Sequence, residues 1–346
     1  MYERLRIIAA LFFYCTGITR LALWFKERSD PRLLILNYHN AGGNLASQLR
    51  YLKRHYRIMH LEEALTELYS QEPVREHEHR RLPLVLTFDD GYQDNYTEGF
   101  RLAQRYRIPV TIFVIPGYIT SGQYFWWLAS AQLVQQLPDK DISFENKTYQ
   151  LPTQRLALSE MIDKRIRHTT SVAEREALLV DIQLQLGVKL PVREADIAGQ
   201  AVDPLLPLTW AQIREMEATG WISFGAHTVN HPILSYLSDP AEVLYEVQAS
   251  RAMLEEQLGH PVRSFAYPIG KFQHIGKQGL LAVQTAGYRW AVTTIEDINA
   301  SQADPLWLAR MPGNIDVHWI VMAAELVGLL GVVSRVRKKY ARFFKK

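Results

Sequence analysis

The stretch Leu84-Val85-Leu86-Thr87-Phe88-Asp89-Asp90-Gly91-Tyr92 constrains this chain more than any other. An apolar run of strand character stops abruptly at two adjacent carboxylates and a glycine, which puts charge at the mouth of a buried sheet or barrel. Neighbouring acids can divide labour: one holds a divalent cation while the other takes a proton from water, their surroundings pushing the two pKa values apart. Asp-Gly is also ordinary turn chemistry, so the stretch alone leaves a plain strand-closing turn open.

The same design recurs along the chain. Apolar runs at 33–38, 110–115, 221–226 and 262–267 end respectively at His39, at Pro116-Gly117, at His227-Thr228-Val229-Asn230-His231 and at Pro268-Ile269-Gly270. Further strand runs lie at 290–294 and 307–310. Helical segments fall between them, at 48–56, 61–69, 96–106 and 280–286, with a long helix opened by Asp239-Pro240 and stopped by Gly259. Strand and helix in alternation indicate parallel βα units, hence an α/β chain built as a barrel. From 121 to 207 the period turns helical, and this part reads as a mostly helical insertion, a lid or substrate wall. It opens on Tyr124-Phe125-Trp126-Trp127, whose tryptophans suit either a core or an aromatic binding surface. Ser171 with Glu174, and Thr209 with Gln212, are helix-start pairs.

With 346 residues, 48% of them hydrophobic, the chain can bury a large core. Its single cysteine, Cys15, excludes an intramolecular disulfide framework and any cysteine-rich metal site, so a metal must be held by histidine and carboxylate. The net charge of +3 is unevenly spread: 335–346 carries +7 and 1–28 carries +3, leaving −7 for 29–334. Basic ends on an acidic body argue against a nucleic-acid groove and for ends that meet an anionic surface.

The uncharged run 7–19, flanked by Arg4, Arg6 and Arg20, is too short to cross a bilayer comfortably. It reads as an interfacial or re-entrant membrane helix, with a signal segment or a packed core helix as alternatives. At the other end an apolar stretch from Trp319 passes into basic residues, the composition of a helix lying on anionic lipid. The expected organisation is a membrane-associating segment at 1–28, a catalytic domain at 29–318 and a membrane-surface segment at 319–346.

His227 and His231 are four apart and end a strand, as Asp90 does. Two nitrogens and one oxygen, with positions left for water and substrate, are the composition of a catalytic divalent site. Here the motifs resemble a known family. Thr87-Phe88-Asp89-Asp90-Gly91-Tyr92, His227-Thr228-Val229-Asn230-His231 and Phe265-Ala266-Tyr267-Pro268-Ile269-Gly270 are similar to the first three motifs of the polysaccharide deacetylases, the NodB-homology enzymes of carbohydrate esterase family four.

That resemblance covers roughly 33–315 and implies a distorted (β/α) barrel that removes N-acetyl groups from an amino-sugar glycan or lipid-linked saccharide. It makes Asp89 the general base and Asp90, His227 and His231 the metal ligands. Zinc is the expected metal, and nickel, cobalt and manganese also suit the ligand type. The Ile269 N–H becomes the oxyanion donor, with Tyr92, Tyr267 and Pro268 beside the substrate.

Two departures stand out. Ala266 occupies the place of the arginine that orients the base, and Ile269 that of an aromatic wall; Arg310 is the candidate replacement for the arginine. There is no leucine-x-histidine motif near the end of the chain, and His39, closing the first strand run, is the expected general acid, with His274 and His318 as the other candidates. The expected location is a bacterial-type inner membrane. The alternatives are a hydrolase of a non-sugar C–N bond and a catalytically silent membrane-associated binding protein. A glycoside hydrolase fits less well, because its carboxylates must flank a sugar bond.

Overall fold

In the computed structural model, which describes residues 2–28, 32–70, 81–193 and 202–330, the apolar runs pair side by side in parallel. The strands are β1 (Arg32–Tyr38), β2 (Arg57–Ile58), β3 (Pro83–Phe88), β4 (Val110–Val114), β5 (Asp141–Phe144), β6 (Lys147–Gln150), β7 (Ile222–Ala226), β8 (Ser264–Ala266), β9 (Trp290–Val292), β10 (Asn299–Ala300) and β11 (Met311–Pro312). The main sheet has the order β10-β1-β3-β4-β7-β8-β9, with β2 on β3 and β11 on β1. Every pairing in it is parallel except β10 with β1. β3 and β4 are buried on both faces, which is why they read as continuous apolar runs and not as alternations.

Closure of the ring is where the barrel is distorted. Between β9 and β1 a full strand is replaced by an extended thread: Leu308 bridges Val292, and Met311 pairs with Leu36. The strand expected at 307–310 is therefore displaced towards Met311–Pro312. The Arg310 N–H turns away to the Ile295 carbonyl at 2.9 Å, which interrupts a ladder at that point.

The helices are α1 (Tyr2–Cys15), α2 (Ile18–Glu27), α3 (Leu45–His55), α4 (Leu61–Leu68), α5 (Arg101–Tyr106), α6 (Pro116–Ser121), α7 (Trp126–Gln135), α8 (Arg155–Arg167), α9 (Val172–Leu186), α10 (Trp210–Ala218), α11 (Pro240–Leu258), α12 (Phe272–Thr285) and α13 (Trp319–Leu326). Local chemistry explains several ends. Thr209 and Gln212 form a reciprocal capping box on α10. Asp239 accepts from the Ala241 N–H, Pro240 opens α11, and Gly259 closes it in the left-handed region. The helix expected at 96–106 begins as a π-turn, Asn95–Phe100, and α12 starts well before 280, with a break at Gly276.

The insertion has its own core around Phe125, Leu133, Leu158, Ile162 and Ile182. It is helical in α7, α8 and α9, but it also contains the antiparallel hairpin β5–β6. Glu145 and Asn146 both take positive φ, 50° and 60°, the backbone of a two-residue hairpin turn, while Phe144 and Tyr149 bury one face.

The ends depart from expectation. The single N-terminal helix is two, α1 and α2, joined at Gly17 and bent by 71°. Among the described residues no single helix is long and apolar enough to cross a membrane. The apolar start of the expected C-terminal surface segment is α13, whose Ile320, Val321, Met322, Ala323 and Ala324 are buried between α1 and α3. Its hydrophobicity therefore serves the core. The basic segment 335–346 lies outside the described residues.

Candidate active site

The carboxylate pair is positioned by the end of β3. The Asp89 N–H donates to the Tyr38 carbonyl at 2.9 Å, and the chain then turns through left-handed backbone at Asp90 and Gly91, φ 74° and 73°. A Cβ on Gly91 would stand 2.9 Å from Val114 Cγ1, so a side chain there is excluded twice over.

Asp89 is buried, and its partner is Arg310 from the closing thread. Nη1 reaches Oδ1 at 2.8 Å and Nη2 reaches Oδ2 at 2.7 Å, a two-pronged ion pair. Two further guanidinium N–H groups donate to the Thr293 carbonyl at 2.7 Å and to Thr87 Oγ1 at 3.1 Å. Burial works against ionisation of Asp89, but the charge of Arg310, then that of His227, outweighs it and holds the carboxyl at about 2.

The second loop follows β7. Thr228 and His231 both have positive φ, 64° and 53°, backbone that non-glycine residues hold only when their surroundings enforce it. Here the enforcement is visible. The His231 N–H donates to Thr228 Oγ1 at 2.9 Å. Buried Glu246 of α11 accepts from the Asn230 N–H at 2.8 Å and from Asn230 Nδ2 at 2.7 Å, and its backbone carbonyl accepts from the Val229 N–H.

The His227 Nδ1–H donates to the Ala266 carbonyl at 2.7 Å, which turns Nε2 towards Asp90 Oδ1, 3.5 Å away. His231 Nε2 lies 3.7 Å from the same oxygen. Burial, helped by the neighbouring His227, holds His231 neutral, its pKa near 3, whereas the Asp90 carboxylate draws His227 upward against its burial. The ligand atoms of Asp90, His227 and His231 all lie within 4.8 Å of one another. Two imidazole nitrogens and a carboxylate oxygen, converging at strand ends with the His227 ring fixed through Nδ1 by the Ala266 carbonyl, suit a divalent cation of the zinc type.

These groups open into a cleft of about 390 Å³ that also contains His39, Ile269, Trp126 and Trp127. His39 stands exposed at the rim, its carbonyl held by Asn95 Nδ2 at 2.9 Å. His274 and His318 do not line this cleft; His318 instead caps α13. Ile269 has φ 59°, its carbonyl accepts from Thr294 Oγ1 at 2.7 Å, and among the described residues no backbone carbonyl takes its N–H. Pro268 is buried behind it and accepts from the Gly270 N–H at 2.6 Å. Tyr267, expected beside the substrate, is turned into the core and donates to the Leu306 carbonyl at 3.1 Å.

The sequence profile of the family described as polysaccharide deacetylase matches residues 77–177 and 193–291, more than half of the chain. The chain belongs to the polysaccharide deacetylase family. A candidate polysaccharide deacetylase, YxkH of Bacillus subtilis (strain 168), is 25% identical over 131 residues, covering 36% of this chain and 45% of YxkH. The chain thus spans less than half the length of that curated relative.

Among solved structures, the Streptococcus pyogenes deacetylase PplD, in complex with acetate, superposes with a TM-score of 0.53 at 21% identity, covering 85% of this chain and 97% of PplD. IcaB from Ammonifex degensii gives 0.53 at 20% identity, covering 86% and 97%. Both share the fold.

Within the family pattern, the departures have structural consequences. Ala266 contributes only its carbonyl, to His227, and Arg310 stands against Asp89 from a different part of the ring. Several contacts are not visible in the motifs. Trp126 Nε1 donates to the His231 carbonyl at 3.0 Å, and the Trp127 ring packs 4.4 Å from the His231 ring. Trp127 Nε1 donates to the Tyr92 hydroxyl at 2.8 Å. Burial first, then the charge of Asp90, pushes the Tyr92 hydroxyl far above its ordinary range, so it stays protonated. The insertion therefore forms an aromatic wall against the histidine loop. The aromatic cluster at 124–127 is the one sequence signal for it.

Proposed function

We propose that this protein is a metal-dependent hydrolase that removes N-acetyl groups from an amino-sugar polymer. The observation that carries the reading is the convergence of Asp90, His227 and His231 beside an ionised, arginine-clamped Asp89 in one open cleft. Family membership supports the amide bond as target, and the partly exposed ring of Trp127, backed by buried Tyr92 and Trp126, suits the flat apolar face of a pyranose ring.

Asp90, His227 and His231 are the residues that would hold the cation, which when bound supplies Lewis-acid polarisation of an amide carbonyl and acidification of water. Asp89 takes the proton from the attacking water, and Arg310 keeps Asp89 charged and in one orientation. The Ile269 N–H donates to the developing oxyanion. His39 gives its proton to the departing nitrogen, so that the C–N bond breaks to acetate and a free amine.

Acetate release from N-acetylglucosamine oligomers tests the reading directly. Release is expected to stop with chelator and to return on adding zinc or cobalt. A metal-loaded protein that frees no acetate from any acetylated sugar would overturn it. The role of His39 has its own test: His39→Ala should lower turnover by about 10²–10⁴-fold, the usual worth of a general acid, with metal content unchanged. Wild-type turnover in that variant would pass the role to another group.

A further inference from the structure

The two N-terminal helices carry apolar surface that the fold does not use. Of the 17 large apolar side chains exposed among the described residues, 9 lie on α1 and α2. They include Ile8 at 63% exposure, Phe12 at 58%, Leu21 at 55% and Trp24 at 43%. Ile8 and Phe12 are four apart on α1, and Leu21 and Trp24 three apart on α2, so each set shares a helix face.

The opposite faces are committed to the protein. Ala10 is fully buried against Ile320, Val321 and Ala324 of α13, and the Tyr14 ring meets Trp319 edge-on at 5.2 Å. Arg6 pairs with Glu325, and Lys26 Nζ donates to the Leu326 carbonyl at 3.0 Å. Leu23 enters the barrel's own core. The hairpin is thus packed onto the catalytic domain. Inserting it across a bilayer would strip these contacts, and its 71° bend opposes a single span.

Charge decides between occupants of the exposed face. Arg4, Arg20 and Arg28 are exposed on the hairpin, whereas Glu3 is ion-paired with Arg6 and Glu27 is partly buried. Arg20, Trp24 and Arg28 succeed one another at four-residue intervals, and the Arg28 guanidinium lies 3.8 Å over the Trp24 ring. A second copy of the chain docked face to face would bring these cations together, since a two-fold contact sets each patch against itself. An anionic bilayer meets the same pattern favourably: tryptophan and basic groups at headgroup level, with apolar side chains just below.

We propose that the α1–α2 hairpin is an interfacial docking face for an anionic lipid bilayer, lying in the headgroup layer without crossing it and holding the catalytic barrel at the membrane surface. This inference stands apart from the deacetylase reading, because it uses none of the cleft residues.

Cys15, the single cysteine, is exposed at the end of α1 and can carry an environment-sensitive fluorophore. With the full chain, phosphatidylglycerol-containing vesicles should produce a blue shift and co-sedimentation that weaken in high salt, and pure phosphatidylcholine vesicles much less of either. The double variant Ile8→Glu, Phe12→Glu should need about tenfold more lipid, or beyond, for half-binding. Its circular dichroism and its acetate release from soluble oligomers should be unchanged, because both side chains face solvent. Arg20→Glu with Arg28→Glu should abolish the preference for anionic vesicles. An unchanged half-binding lipid concentration in Ile8→Glu, Phe12→Glu, an anionic preference retained in Arg20→Glu, Arg28→Glu, no partition of the unmodified chain into either vesicle, or a lipid-free dimer dissociated by Ile8→Glu, Phe12→Glu would each overturn the proposal.

Discussion

Arg310→Met is expected to cost about 3–5 kcal/mol of folding stability, the usual consequence of leaving one member of a buried ion pair without its partner. Arg310 is 1% and Asp89 2% exposed, so water cannot take over the solvation that the guanidinium provides. The same substitution takes the guanidinium donor from the Thr293 carbonyl, whereas Thr87 Oγ1 keeps its own hydrogen bond to the Leu36 carbonyl at 2.8 Å. Asp89 would respond by holding a proton. Its carboxyl lies near 2 because the charge of Arg310, ahead of that of His227, outweighs burial; without the guanidinium, burial governs and the carboxyl moves up. A protonated Asp89 cannot take a proton from water, so kcat/KM for acetate release should fall by at least about 10²-fold.

A second variant separates these effects. In Asp89→Asn, Arg310→Met both charges are gone, so stability should recover by a kcal/mol or more relative to Arg310→Met, while activity stays lost. Arg310→Lys keeps a charge but not the two-pronged geometry, and should fall between wild type and methionine in both urea midpoint and turnover. An Arg310→Met protein with wild-type urea midpoint and wild-type kcat/KM would remove the clamp from the account.

How far the sequence reaches depends on whether the relevant contact is local. β3 and β4 are legible because burial on both faces writes a nearly continuous apolar run, and these runs and that of β7, which Ser223 interrupts, stop where carboxylate, proline or histidine begins. The site loops lie at those stops, so the pattern of runs by itself groups Asp89, Asp90, His227 and His231 at one end of the barrel. Arg310 is legible for a similar reason, although its strand is a thread. The Trp126 and Trp127 contacts are not legible: they join residues 105 and 35 positions apart, and nothing in an aromatic cluster says which indole meets which loop. Tyr267 misleads because its neighbour Pro268 belongs to the motif, while its own ring packs against Phe265 and Trp307 in the core. The hairpin β5–β6 hides because Glu145-Asn146 takes the two left-handed positions without the Asn-Gly signature of such turns.

The backbone at Asp90 makes Asp90→Asn the most informative single change in the molecule. With φ at 74°, position 90 holds a conformation that few side chains tolerate, and aspartate and asparagine are among those that do. Alanine or a branched residue would add backbone strain of about 1–3 kcal/mol and confuse lost chemistry with lost structure. Asparagine keeps the shape and the turn and removes only the charge, so unfolding should stay within about 1 kcal/mol of wild type. The charge is what the cation requires. His227 and His231 alone leave two nitrogens and no anionic oxygen, and the cation's share of transition-state stabilisation, several kcal/mol, goes with it. At 1.36 kcal/mol per tenfold, kcat/KM for acetate release should drop by about 10³-fold or more. Elemental analysis of the purified variant should find the metal-to-protein ratio greatly reduced. If Asp90→Asn retained both its metal and its turnover, the cation would have to sit elsewhere, and the convergence of Asp90, His227 and His231 would need another explanation.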